Sequence, residues 1–240
     1  METLPRLRYD QALLASLLDD TEDAPWMVVP EFQLQIVRLL MSILEQHILR
    51  LGLPWHVFSE LWIIAPWPND QGFLRAAPDL FVAEADPTYR RSWQVNREGS
   101  VPPFVLEVVT DESTTRDLEE KVIIYDQMGV REYAIFIPEE VGGELRLLGY
   151  RRADDGAFVR WETDVQGRLE SHVLGGLRLH AVVGSWLRLL DRDGHILPSV
   201  AEERDRQAAR ASQEAALRAD LEKELARLRA SLGPTQPEHP

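Results

Sequence analysis

The stretch that decides the reading is Phe104-Val105-Leu106-Glu107-Val108-Val109, one carboxylate inside an otherwise apolar run. A β-rich run with apolar residues at both parities is a strand covered on both faces. An ionised glutamate there is costly unless it is paired or binds a cation. Glu107 therefore forms a buried salt bridge, sits at a solvated strand end, or holds a metal. Upstream, Ala77-Pro78-Asp79-Leu80-Phe81-Val82 sets a second carboxylate at the start of another strand. Asp79 either ends a turn or, if the two strands are neighbours, meets Glu107.

Downstream, Thr114–Met128 reads as a helix closed by Gly129. At 100° per residue, Lys121 falls in the middle of the apolar stripe of Leu118, Ile124, Tyr125 and Met128. That stripe must pack on a sheet. The lysine either pairs with Asp117 and snorkels outward, or reaches the carboxylates of the sheet. The chain has 24 arginines and two lysines, Lys121 and Lys223. A lysine retained on a packing face is a compact point charge, which arginine is not. Two carboxylates and an ammonium in one cleft suit metal-assisted phosphodiester hydrolysis, with Mg²⁺ or Mn²⁺ as the ion that hard oxygen ligands favour.

Working outward, Glu31–Leu51 has helical spacing of apolar residues and Trp55–Ala65 reads as one strand, with Glu60 inside it as a candidate further acidic residue. Trp67–Ala77 and Asp86–Pro103 read as loops, and Pro78–Ala83 as a short strand. Within the second loop, Tyr89-Arg90-Arg91-Ser92-Trp93, with Arg97, mix cations and aromatics. They either track a phosphate backbone or line an ordinary solvated loop. Glu132–Ile137 is a further strand. Leu145–Arg151, Phe158–Thr163 and Arg168–Leu174 read as a meander, and Ser185–Leu190 as a short helix. The fold class expected is α/β, a mixed sheet flanked by helices.

Residues 1–29 read as an N-terminal arm, 30–197 as the globular domain, 198–232 as a helical tail and 233–240 as a disordered end. Leu221, Leu225, Leu228 and Leu232 follow four-three-four spacing, either a solvated helix or a short coiled-coil seam that makes a homodimer.

Composition sets limits. The 240 residues carry no cysteine, which removes disulfides, thiolate metal sites and cysteine nucleophiles. There is no GxSxG elbow, P-loop or GxGxxG, and the six histidines have no paired metal spacing. No apolar run suits a membrane span, and Met1–Asp10 lacks a secretory signal pattern, so a cytoplasmic protein is expected. The net charge of −14 argues against a nucleic-acid partner. A bound divalent cation answers part of that objection by inverting the local field.

Taken together, Pro78-Asp79, Leu106-Glu107-Val108-Val109, Ser113-Thr114-Thr115-Arg116-Asp117 with Lys121 and Tyr125, and Gly129-Val130 with Glu132-Tyr133 resemble the Uma-two family. These are bacterial proteins of restriction-endonuclease type in the PD-(D/E)xK nuclease superfamily, and the resemblance covers about residues 30–197. The superfamily pattern sets its lysine two positions after the glutamate, where this chain has Val109. In the family that lysine is thought to have moved to the following helix, which matches Lys121. The resemblance implies a restriction-endonuclease-like fold and a Mg²⁺- or Mn²⁺-dependent DNA endonuclease. Asp79 and Glu107 would bind the metal, the carbonyl of Val108 would assist, and Lys121 would be catalytic. A degenerate nuclease fold kept as a dimeric binding module, or hydrolysis of RNA, is the alternative.

Overall fold

Helix α1 (Glu31–Leu51) buries Ile36, Val37, Leu40, Ile43, Leu44 and Ile48, a stripe set by the three- and four-residue spacing. Gly52 ends it at φ 63°, in the left-handed region that leaves its amide free to close on the carbonyls of Ile48 and Leu49. The computed structural model describes residues 30–67, 72–86, 88–110, 116–184 and 186–231. The order after α1 is β1 (Trp55–Phe58), β2 (Ile63–Pro66), β3 (Phe73–Ala76), β4 (Leu80–Glu84), β5 (Trp93–Gln94), α2 (Val95–Glu98) and β6 (Phe104–Val108). A π-helical turn (Arg116–Glu120) then leads into α3 (Lys121–Met128), followed by β7 (Glu132–Ile137) and α4 (Glu139–Gly142). Next come β8 (Arg146–Arg152), β9 (Phe158–Arg160), β10 (Arg168–Ser171), β11 (Leu177–Val182), β12 (Trp186–Leu190) and α5 (Val200–Ser231).

The main sheet has strand order β1-β4-β6-β7-β8-β9. Only β6 and β7 pair in parallel, joined through α3 as a crossover; the other neighbours are antiparallel. Alternation sorts its side chains. Leu80 and Val82 of β4, Phe104, Leu106 and Val108 of β6, and Ala134 and Phe136 of β7 share one core with α1 and the antiparallel β10-β11-β12 sheet. Phe81, Val105, Tyr133 and Ile135, of opposite parity, share the other core with α3 and the small β3-β2-β5 sheet. The mixed α/β sheet covered on both faces, with a C-terminal helix, is the architecture the sequence leads one to expect. The chain divides between Leu197 and Pro198 into two compact units, the second containing α5.

Several local readings need correction. The single strand expected over Trp55–Ala65 is two strands in two different sheets, β1 paired with β4 and β2 paired with β3 and β5. The chain turns between them at Glu60, whose φ of 52° is the one positive value at a non-glycine position among the described residues. Apolar periodicity reports burial, not which sheet does the burying. In place of the short helix expected from Ser185, Trp186–Leu190 forms β12, because Leu187 and Leu189 alternate with Arg188 and pair with β11; Ser185 itself lies outside the described residues. The loops expected before Asp79 and after Asp86 contain β3, β5 and α2. The third strand of the expected meander, β10, leaves the main sheet to pair with β11. The helix expected from Thr114 is described from Arg116 onward and begins as a π turn. The N-terminal arm, Leu232 and the C-terminal end lie outside the described residues.

Candidate active site

Antiparallel register brings the two carboxylates together. β4 and β6 pair Leu80 with Leu106 and Phe81 with Val105, so the next rung sets Asp79 against Glu107. Like charges directly across a ladder repel, and here each carboxylate is met by donors. The amide of Asp79 donates to Glu107 Oε2 at 3.3 Å, and the amide of Val108 donates to Asp79 Oδ2 at 2.6 Å. Gln33 Nε2, reaching from α1, donates to Asp79 Oδ1 at 2.6 Å.

Glu107 points to the α3 side, the same side as Val105 and Val109. Its side chain is 1% exposed, and Lys121 Nζ lies 2.7 Å from Oε1. The hydroxyl of Tyr125 donates to that same Oε1, also at 2.7 Å. Lys121 and Tyr125 are four residues apart, one turn of α3, so both arrive from one helix face. Lys121 is 11% exposed and is the first residue after the π turn, an uncommon geometry that recurs at functional sites. Asp79 is half-buried. Two carboxylates on neighbouring strands, one of them paired with an ammonium from α3, thus stand at the C-terminal end of β6. Paired hard oxygens of this kind are the donor chemistry that Mg²⁺ or Mn²⁺ takes.

The other residues singled out in the sequence lie elsewhere. Glu60 is exposed in the turn between β1 and β2. Val108 presents its amide to Asp79, as described. Arg90 is engaged inside its own loop: Nε meets Glu98 at 3.0 Å, Nη1 donates to the carbonyls of Asp86 and Thr88, and the guanidinium lies over Phe58 and Trp93. Arg91 and Arg97 are exposed. A separate group, Asp191, Asp193 and His195, brings possible ligand atoms close together after β12. The amides of Asp193 and His195 donate to Asp191 Oδ1, which accounts for its shape as a turn. The bond from the His195 amide is the main cause holding the Asp191 carboxyl below the usual carboxylate range.

Gln33 is the site residue that sequence reasoning missed. It precedes Ile36, Val37 and Leu40 by three, four and seven positions, so it is a polar residue on the buried stripe of α1. That anomaly is the same kind of signal that singled out Lys121.

A family model described as "Uma2: Putative restriction endonuclease" matches residues 25–182. No curated protein matches the chain. Among solved structures, the chain is similar to "a putative nuclease belonging to DUF820" from Anabaena variabilis, at 11% identity and a TM-score of 0.40. That similarity covers 52% of this chain, and the chain spans 65% of that protein.

Proposed function

The chain belongs to the Uma2 family, and on that premise we propose that it is a divalent-metal-dependent endonuclease that hydrolyses DNA phosphodiester bonds. The observation that carries this reading is the Lys121–Glu107 contact of 2.7 Å at a carboxylate 1% exposed, with Asp79 on the adjacent rung. A buried ion pair contributes little to folding and often costs stability. A cluster of three charged groups at one strand end is therefore explained better by chemistry than by packing.

In this reading Asp79 and Glu107, with the carbonyl of Val108, would hold Mg²⁺ or Mn²⁺, which when bound would supply polarisation of a phosphoryl oxygen and a more acidic water. Lys121 donates to the oxygen on which charge builds up as the phosphate is attacked. Gln33 and the Val108 amide fix the Asp79 carboxylate, and Tyr125 fixes that of Glu107, so neither has to reorganise during the reaction. Arg91 and Arg97 are exposed cations available to a phosphate backbone. We place the protein in the cytoplasm; no described helix is long and apolar enough to cross a membrane.

The test is DNA cleavage with Mg²⁺ or Mn²⁺ by the full chain and by Asp79→Asn, Glu107→Gln and Lys121→Ala. Each substitution is expected to lower the cleavage rate by roughly 100-fold or more. Titration calorimetry should show ion binding weakened by the two carboxylate changes and kept by Lys121→Ala. Cleavage that survives all three substitutions removes these residues from the mechanism. A second reading, a nuclease fold kept as a dimeric assembly module, is favoured by exposed Leu221, Leu225 and Leu228 on α5. Failure of the full chain to bind any divalent ion, together with loss of dimers when residues 198–240 are removed, favours it.

A further inference from the structure

The small β3-β2-β5 sheet has one face in the core and one in solvent. Ile63, Ala65, Leu74, Ala76 and Trp93 are buried beneath it. A strand covered on one side normally alternates apolar-in with polar-out. Here the outer face is apolar as well: Trp62 is 45% exposed, Phe73 is 52% exposed, and Ile64 and Pro66 lie between them. The register pairs Pro66 with Phe73 and Ile64 with Arg75, so these side chains stand side by side on the outer surface. Arg75 is exposed and, among the described residues of the three strands, is the one charged side chain on that face. In a chain with 40 acidic residues, none of them lies on the outer face of these three strands.

We propose that this outer face, with Trp62, Phe73 and Arg75, is a stacking platform that delivers a single DNA strand to the Asp79–Glu107–Lys121 site. The proposal rests on the nuclease reading above and adds the form of the substrate. Strand β3 carries Phe73 and Arg75 and runs into Asp79 three residues after its last residue, Ala76, so the platform is continuous in the chain with the candidate site. Successive outward positions on a strand are about 6.7 Å apart, the scale of one extended nucleotide. Exposed aromatic rings on a sheet accept unpaired bases of any identity. One arginine supplies one phosphate contact. A duplex buries its base faces and offers mainly phosphates, so it calls for several cations. A face rich in aromatic side chains and poor in cations, on a protein of net charge −14, fits the single strand and not the duplex.

The experiment is fluorescence anisotropy of the full chain without divalent metal, so that no cleavage intervenes. The probes are a fluorescein-labelled single-stranded DNA oligonucleotide, its duplex, and an RNA strand of the same sequence. The single DNA strand is expected to bind most tightly. Trp62→Ala and Phe73→Ala should each weaken it by roughly 5- to 150-fold. Arg75→Ala should reduce the slope of log affinity against log salt by about 0.7. All three positions are on the solvent side, and unchanged thermal unfolding would confirm that the variants fold. Equal binding by wild type and both aromatic variants overturns the platform. So does tighter binding of duplex or of RNA, or a change of oligomeric state on substitution that leaves DNA affinity intact, which would assign the face to a second copy. The two readings fail differently. If the wild type binds the single strand through this face but cuts nothing, the platform stands and the nuclease reading falls. If the wild type cuts DNA and the aromatic variants cut it with the same kcat/KM, the reverse holds.

Discussion

At Glu107 a single carboxylate oxygen takes both the Lys121 ammonium and the Tyr125 hydroxyl, and nearly all of the side chain is out of water. Removing one partner of such a pair leaves a buried charge with nothing to offset its desolvation. Lys121→Met is therefore expected to cost about 3–5 kcal/mol, and Tyr125→Phe about 1.5–3 kcal/mol, as for a hydrogen bond to a charged group. Adding Glu107→Leu to Lys121→Met should restore most of the loss, because an apolar pair of similar volume pays no desolvation penalty. Urea unfolding of the two single variants and the double variant closes the cycle. Additive losses would mean that the two side chains do not share the contact described here. The same physics made both residues legible in the sequence: a charge in the middle of an apolar pattern needs an account. It applied equally to Gln33, but a neutral amide on a helix stripe is a weaker anomaly than an ammonium. Its partner, Asp79, is 46 positions away, and no local pattern connects them.

Elements were legible where their own pattern was long. The spacing of α1, the apolar run of β6 and the strand β7 ending at Pro138 could all be read directly. Short elements whose state depends on a distant partner could not: β12 is a strand because β11 lies beside it, and β1 and β2 separate because different sheets receive them. One connection has its own chemistry. Between β9 and β10, Asp164 Oδ1 accepts from the amides of Gln166 and Arg168, and Oδ2 meets Arg168 Nε at 2.8 Å. Burial works to raise the Asp164 carboxyl, but the Arg168 amide and side chain and the Gln166 amide outweigh it and hold the group below its ordinary value. A carboxyl lowered in the folded state binds its proton more readily when unfolded, so it stabilises the fold above the unfolded pKa of about 3.9. That contribution falls away as pH drops through the folded value. The thermal midpoint of the wild type should thus exceed that of Asp164→Ala by a constant margin above about pH 5. The margin should narrow below about pH 3.9. A margin that stays flat down to pH 2 would show that the turn does not depend on the ionised form.

For the molecule as a whole, what needs an account is α5, which has 32 residues and none of them buried. Helices in proteins draw most of their stability from packing an apolar face, and α5 buries no face of its own. Upstream, four of the six seam positions that continue the leucine spacing are polar, Arg204, Gln207, Glu214 and Arg218; the other two are Val200 and Ala211. Downstream they are Leu221, Leu225 and Leu228, all exposed, followed in sequence by Leu232. With Leu225 at heptad position a and Leu221 and Leu228 at d, Glu224 falls at g and Arg229 at e. A parallel pair of copies sets these opposite charges against each other. A seam confined to about two heptads makes a weak dimer whose population depends on protein concentration. Sedimentation of the full chain is accordingly expected to show a monomer–dimer equilibrium. Leu225→Asp should raise the dissociation constant by at least about 10-fold, since a charge replaces a central apolar contact. A chain ending at Leu197 should sediment as a monomer. A dimer that survives both changes would move the contact to the globular unit, and a monomer at every concentration of the full chain would leave α5 without the partner assigned to it here.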